Sequence, residues 1–165
     1  MYFGIDVGFK GMAICRSDEK SSTSHAHQFY DNTLTGDDQL DIGKMMKFLV
    51  VENSFKVRGV LLEDVHAFPK QGAISAFKFA YAKGLVIGLC KALGYETIMV
   101  SPQAWKKELG LIGKDKKESI SKAKSLLPED DKKLVEKNHN NAEALLLCWY
   151  LYTGSYIKNN YKGVY

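Results

Sequence analysis

"VRGVLLED", residues 57 to 64, is an apolar run that ends in two acids. A strand wetted on one face alternates apolar with polar residues. This one does not, so it reads as a central strand covered on both faces, with the acids marking its exit. Upstream, "YFGIDV" (2–7) and "GMAICR" (11–16) read as two strands of a hairpin joined through a turn at Gly8 to Gly11. A third strand near "SHAHQFY" (24–30) follows the polar loop "SDEKSSTS". "DDQLDIGKMMKFLVVEN" (37–53) then carries Leu40, Ile42, Met45, Met46, Leu49 and Val50 at helical spacing.

Downstream, the loop "HAFPKQG" contains Pro69 and Gly72, and leads into a long helix over 73–93. The helix carries Ala73, Ala76, Ala80, Ala82, Gly84 and Gly88, small residues that permit close packing. "ETIMVS" (96–101) predicts a further strand, and "PQAWKKEL" a short helix with Pro102 in its first turn. "DKKESISKAKSLL" (115–127) predicts a polar amphipathic helix ended by Pro128, "PEDDKKLVEK" a connector, and "HNNAEALLLCWYL" (139–151) a last, densely apolar helix. Antiparallel strands followed by alternating helix and strand give an α/β fold, a mixed sheet with helices on both faces.

With 165 residues, 45% of them hydrophobic, the chain can bury one core but hardly two, so a single domain over 1–165 is expected, with 155–165 as a tail. The sequence contains no uninterrupted apolar run of membrane-spanning length, and "MYFGIDVG" lacks the features of a signal peptide, which predicts a cytoplasmic protein without a membrane partner. Cys15, Cys90 and Cys148 lie in apolar surroundings without CxxC spacing and read as reduced core thiols rather than zinc ligands. The net charge of +4 is concentrated: between Lys106 and Lys124 seven lysines face three acids, an excess equal to that of the whole chain. One basic patch on a neutral body points to a polyanion, nucleic acid before others, although a solvated lysine-rich helix face has the same composition.

Asp6 lies at the centre of the first, otherwise apolar strand and Glu63 at the end of the buried one, positions where an ionised carboxylate is costly without compensation. If these strands are neighbours, both acids can hold one divalent cation, and Glu143 in the first turn of the last helix can join them. Carboxylate oxygens suit Mg²⁺ or Mn²⁺. Two ions about 4 Å apart would activate water and stabilise the leaving oxygen of a phosphodiester. Singly, each acid has a plainer reading as a solvated strand end, a turn former or a helix-dipole partner.

Four blocks in order, "GIDVG", "LLEDVHAFPKQG" followed by "AFKFAYAKGLVIG", "VSPQAWKKELGL", and "HNNAEALLL", together resemble the RuvC family of Holliday junction resolvases, especially its phage-type and other virus-encoded members and their bacterial relatives. The resemblance covers residues 2 to 152. It implies an RNase H-like fold, a homodimer, and Mg²⁺-dependent paired incisions in branched DNA: four-way junctions, with three-way junctions and forks as further candidates. By position it assigns Asp6, Glu63 and Glu143 as catalytic metal ligands. The family's fourth ligand, an Asp or His three residues before the last acid, falls on Asn140, a departure. His139 is the favoured fourth group, as ligand or proton carrier, with Asn140 second; a surface or capping role for His139 stays open. Asp64 should point away from the site if the strand continues.

The resemblance places Lys106 and Lys117 close to the scissile phosphates, with Lys10, Lys114 and Lys116 as further DNA contacts. His66, Phe68 and Lys70 form a loop set suited to stacking on an unpaired base while gripping phosphate. The long helix, with Phe77, Phe79 and Tyr81, would supply the dimer interface by analogy, whereas periodicity alone would put those rings in the core. Two other classes compete. "GIDVG" also opens phosphotransferases of the actin and sugar-kinase superfamily, but their second glycine motif and longer chain are missing. A silent branched-DNA-binding protein of the same fold is favoured only by Asn140.

Overall fold

A computed structural model of the chain describes residues 1–17, 27–31, 40–51, 56–66, 71–136 and 138–153. Its elements are β1 (Tyr2–Asp6), β2 (Ala13–Ser17), β3 (His27–Asp31), α1 (Ile42–Leu49), β4 (Gly59–Glu63), α2 (Ala73–Ala92), β5 (Thr97–Val100), α3 (Pro102–Glu108), α4 (Lys116–Ser125), α5 (Lys133–Glu136) after a 3₁₀ turn, and α6 (His139–Tyr152). The sheet order is β3-β2-β1-β4-β5. β1–β2 and β2–β3 are antiparallel, while β1–β4 and β4–β5 are parallel. The expected mixed sheet is therefore present, and the apolar run at 57–64 supplies a strand buried at every position. The second strand starts two residues later than its sequence suggested, at Ala13.

Strand alternation divides the interior in two. Phe3, Ile5, Ile14, Val60 and Leu62 face one side, where they pack with Met45 and Leu49 of α1 and with Ala82, Val86 and Cys90 of α2. Ala13, Cys15 and Leu61 face the other, against α4, α5 and the buried stretch of α6 from Ala142 to Cys148. Gly4 sets how closely α6 approaches: a Cβ there would lie 2.2 Å from the Ala144 carbonyl oxygen and 2.3 Å from the Cys148 nitrogen. Helix backbone thus rests directly on β1, and the start of α6 is fixed relative to the strand's end.

The helix α2 departs from expectation. By length and composition it could cross a bilayer, yet one stripe packs on the sheet, and Lys83 donates to Asp64 Oδ1 at 2.8 Å and to the Val65 carbonyl at 3.2 Å. Of its small residues only Ala82 is buried, and a Cβ at Gly84 or Gly88 would meet nothing within 4 Å. Apart from Ala82, these residues do not serve close packing on the sheet. Ile74 and Phe77, 77% and 73% exposed, form an outward stripe with Tyr81, while Phe79 packs against the core.

Candidate active site

Two strand ends and one helix start meet on the α6 side of the sheet. Asp6 is the last residue of β1, not a central one as its sequence suggested, and Glu63 is the last of β4. The parallel register pairs Ile5 with Leu62, so the next step sets Asp6 beside Glu63. Alternation puts both acids on the face of Gly4 and Leu61, under α6. Asn138 caps α6, its side-chain oxygen accepting from the backbone N–H groups of Asn140 and Asn141 at 3.0 and 3.2 Å. The cap is therefore Asn138 and not His139. Helical residues begin at His139, so Glu143 falls in the second turn rather than the first, where it is 8% exposed.

Glu143 Oε1 lies 3.1 Å from Lys106 Nζ and 3.4 Å from His139 Nε2. His139 and Glu143, four apart, share one helix face. Asn140 also packs on the hairpin turn: its amide nitrogen lies 2.6 Å from where a Cβ on Gly11 would be, so the turn closes on it only because residue 11 is glycine. Glu63 Oε1 accepts from the indole N–H of Trp105 at 2.9 Å. Trp105 is fully buried in α3, and Lys106 Nζ sits 5.0 Å from the centre of its ring.

The pocket over this cluster has a volume of about 290 Å³ and is lined by Asp6, Glu143, His139 and Asn140 with Lys106, Lys114, Lys116 and Ser119. Glu63 is not on its wall; it is tied to the cluster through charge and through Trp105. Burial pushes the Asp6 carboxyl well above its ordinary range, and the negative charges of Glu143 and Glu63 push it further, against Lys106 and Lys116. Burial also raises Glu63, partly offset by the Trp105 hydrogen bond and by Lys106. For His139, burial lowers the imidazole below its usual value despite Glu143, which favours a neutral ring. Among the described residues no three His, Cys, Asp or Glu side chains stand together as a ready chelate. In this arrangement Glu63 and Glu143 oxygens are turned to N–H donors instead.

Other expected residues divide. Lys116, not Lys117, joins Lys106 and Lys114 on the pocket wall. Asp115 caps α4, accepting from the backbone N–H groups of Lys117 and Glu118, so the helix begins at Lys116. Residues 116 and 119 then share the pocket-facing side, while 117 is turned about 100° away. Lys10 is exposed in the hairpin turn. His66 is also exposed, 3.7 Å from Asp64 Oδ2. Asp64 itself is held by Lys83 of α2, on the far side of the sheet from Glu143, as strand alternation expected. Phe68 and Lys70 lie outside the described residues. Sequence reading did not select Trp105 or Ser119; the one available signal was a tryptophan in the only turn between a proline N-terminus and the lysine patch.

No protein-family profile matches the sequence. The Thermus thermophilus RuvC structure in complex with a Holliday junction substrate superposes with a TM-score of 0.63 over 96% of both chains at 17% identity. The chain has the fold of the RuvC resolvases. The RuvC likeness extends to the fowlpox virus resolvase in complex with Holliday junction DNA, with a TM-score of 0.56 over 96% of this chain and 99% of that one at 19% identity. At sequence level, 82 residues are 35% identical to the chloroplastic Holliday junction resolvase MOC1 of Chlamydomonas reinhardtii. That alignment spans 48% of this chain and 9% of the relative's length.

Proposed function

We propose that the protein is a structure-selective endodeoxyribonuclease that resolves Holliday junctions and other branched DNA by metal-dependent phosphodiester hydrolysis, acting as a homodimer. One observation carries this reading: Asp6, Glu63 and Glu143, from three different elements, lie near enough for Glu63 and Glu143 to oppose the ionisation of buried Asp6, and Asp6 and Glu143 line a pocket whose wall carries lysines. Acids repelling each other in a buried place cost stability unless a cation joins them, and three carboxylates suit Mg²⁺, with Mn²⁺ able to substitute. Asp6, Glu63 and Glu143 would hold it, with His139 as the fourth group. Asn140, which lines the same pocket, is the second choice, because its amide carries no charge. A divalent cation bound there supplies Lewis acidity toward the scissile phosphate and makes water a stronger nucleophile.

The chain's own residues then have separate tasks. His139, its ring favoured as neutral, can accept a proton through Nε2 close to Glu143. Lys106, Lys114 and Lys116 bring positive charge to the pocket wall, where a phosphate strand would bind. Lys106 is within reach of Glu143 and can turn toward phosphate once another cation takes that oxygen. Lys10, His66, Phe68, Lys70 and Lys117 would extend the DNA contact. The exposed stripe of Ile74, Phe77 and Tyr81 borders, with Phe9, an apolar groove of about 610 Å³, and is the proposed dimer interface. A twofold pair of sites matches a twofold junction.

The test compares a labelled synthetic four-way junction with linear duplex of the same sequence, each with Mg²⁺ or EDTA. Symmetric nicks confined to the junction, requiring Mg²⁺ and lost in Glu143→Gln, support the proposal. Tight junction binding without cleavage, with cutting restored by Asn140→Asp, would replace it by a binding protein whose fourth ligand has been lost.

A further inference from the structure

We propose that Trp105 is the positioning residue for Glu63, fixing one carboxylate oxygen so that the other is presented to the cation. This inference rests on the reading of the three acids as a cation site. Trp105 is fully buried, and its indole N–H is a donor that needs a partner in such a place. Its partner is Glu63 Oε1 at 2.9 Å, across 42 residues of sequence, in a bond that is itself buried. The ring is delivered by α3: Ser101 caps the helix by accepting from the Ala104 N–H, Pro102 opens it, and Trp105 follows one turn in.

The choice of donor matters. Arginine or lysine at this position would neutralise Glu63 and compete with the metal for its charge. An indole orients the carboxylate and carries no charge of its own, so it does not itself neutralise Glu63. Glu143 is treated differently. Its partner, Lys106, is a cation on a flexible stem, 31% exposed, and can withdraw. One acid is thus held by a fixed neutral donor and the other by a mobile charged one, and both donors are neighbours on a seven-residue helix. Partners that orient metal ligands typically change cation affinity by about 10- to 100-fold when removed.

The chain has two tryptophans, so Trp149→Phe leaves Trp105 as the sole indole. Titrating that variant with Mn²⁺ should quench its emission saturably, and adding Glu63→Gln should abolish the response. Separately, Mn²⁺ affinity measured by calorimetry should fall about tenfold or more in Trp105→Phe. Replacing Trp105 by its benzothienyl isostere, which keeps the ring shape and lacks the N–H, should give the same loss even if the phenylalanine variant folds poorly. A merely structural tryptophan would lower the melting temperature and leave the Mn²⁺ affinity of the isostere unchanged, which would overturn the proposal. Affinity that depends on the indole N–H, in a protein that cuts no branched DNA, would uphold Trp105 while sinking the nuclease reading.

Discussion

Asp6 ends its strand with burial and two neighbouring carboxylates opposing its charge, and with Lys106 and Lys116 favouring it. The opposing side prevails, so the folded protein holds this proton to higher pH than the unfolded chain, whose carboxyl titrates near the ordinary value of 3.8. The folded state therefore binds more protons from about pH 4 upward, and stability falls as pH rises through that window. Asp6→Asn removes the effect. Without divalent cation, the variant should melt above the native protein at pH 7, with the gap closing toward pH 4, when both are followed by circular dichroism. With Mg²⁺ the order should reverse, because only the native protein is stabilised by binding. Equal melting temperatures across the pH range would show that Asp6 carries no such conflict. Sites that gain function at the expense of stability have this signature.

At the scale of elements, the site depends on how closely α6 rests on β1. Gly4→Ala would drive a methyl into the Ala144 carbonyl and the Cys148 backbone, so the helix must lift. Overpacking of this kind costs roughly 3 kcal/mol, and because α6 carries Glu143, cleavage should fall beyond what the lost stability explains. Denaturant titration beside a cleavage assay separates the two effects. Unchanged stability would mean that the strand and helix are not in contact here. Much of this layer was legible in the sequence: the run at 57–64, the hairpin and the polar start of the last helix each follow from periodicity and turn chemistry. Less legible was whatever depends on a partner distant in sequence or on one residue of helix phase. The Trp105–Glu63 bond spans 42 residues, and the choice of Lys116 over Lys117 turns on Asp115 as the cap. The exposure of Phe77 is expected through the family resemblance alone, since by periodicity an apolar stripe reads as core until something is seen not to cover it.

For the whole molecule, those exposed side chains and the two-sided sheet fit a pair of chains acting on one branched substrate. Phe77→Asp places a charge in the proposed interface without touching the acids, and should convert a dimer to a monomer in sedimentation experiments. Paired nicks should then become independent single ones. A native protein that is monomeric at micromolar concentration would remove the dimer from the account. The central claim, that three acids and a lysine-walled pocket cut branched DNA, is tested most directly by incubating native protein and Glu143→Gln with a labelled four-way junction and its linear duplex, in Mg²⁺ and in EDTA. Mg²⁺-dependent, symmetric nicks are expected in the junction alone, reduced more than about 100-fold in the variant, since losing a ligand should exceed the cost of losing a ligand's support. Equal cutting of duplex and junction, or full activity in Glu143→Gln, would contradict it.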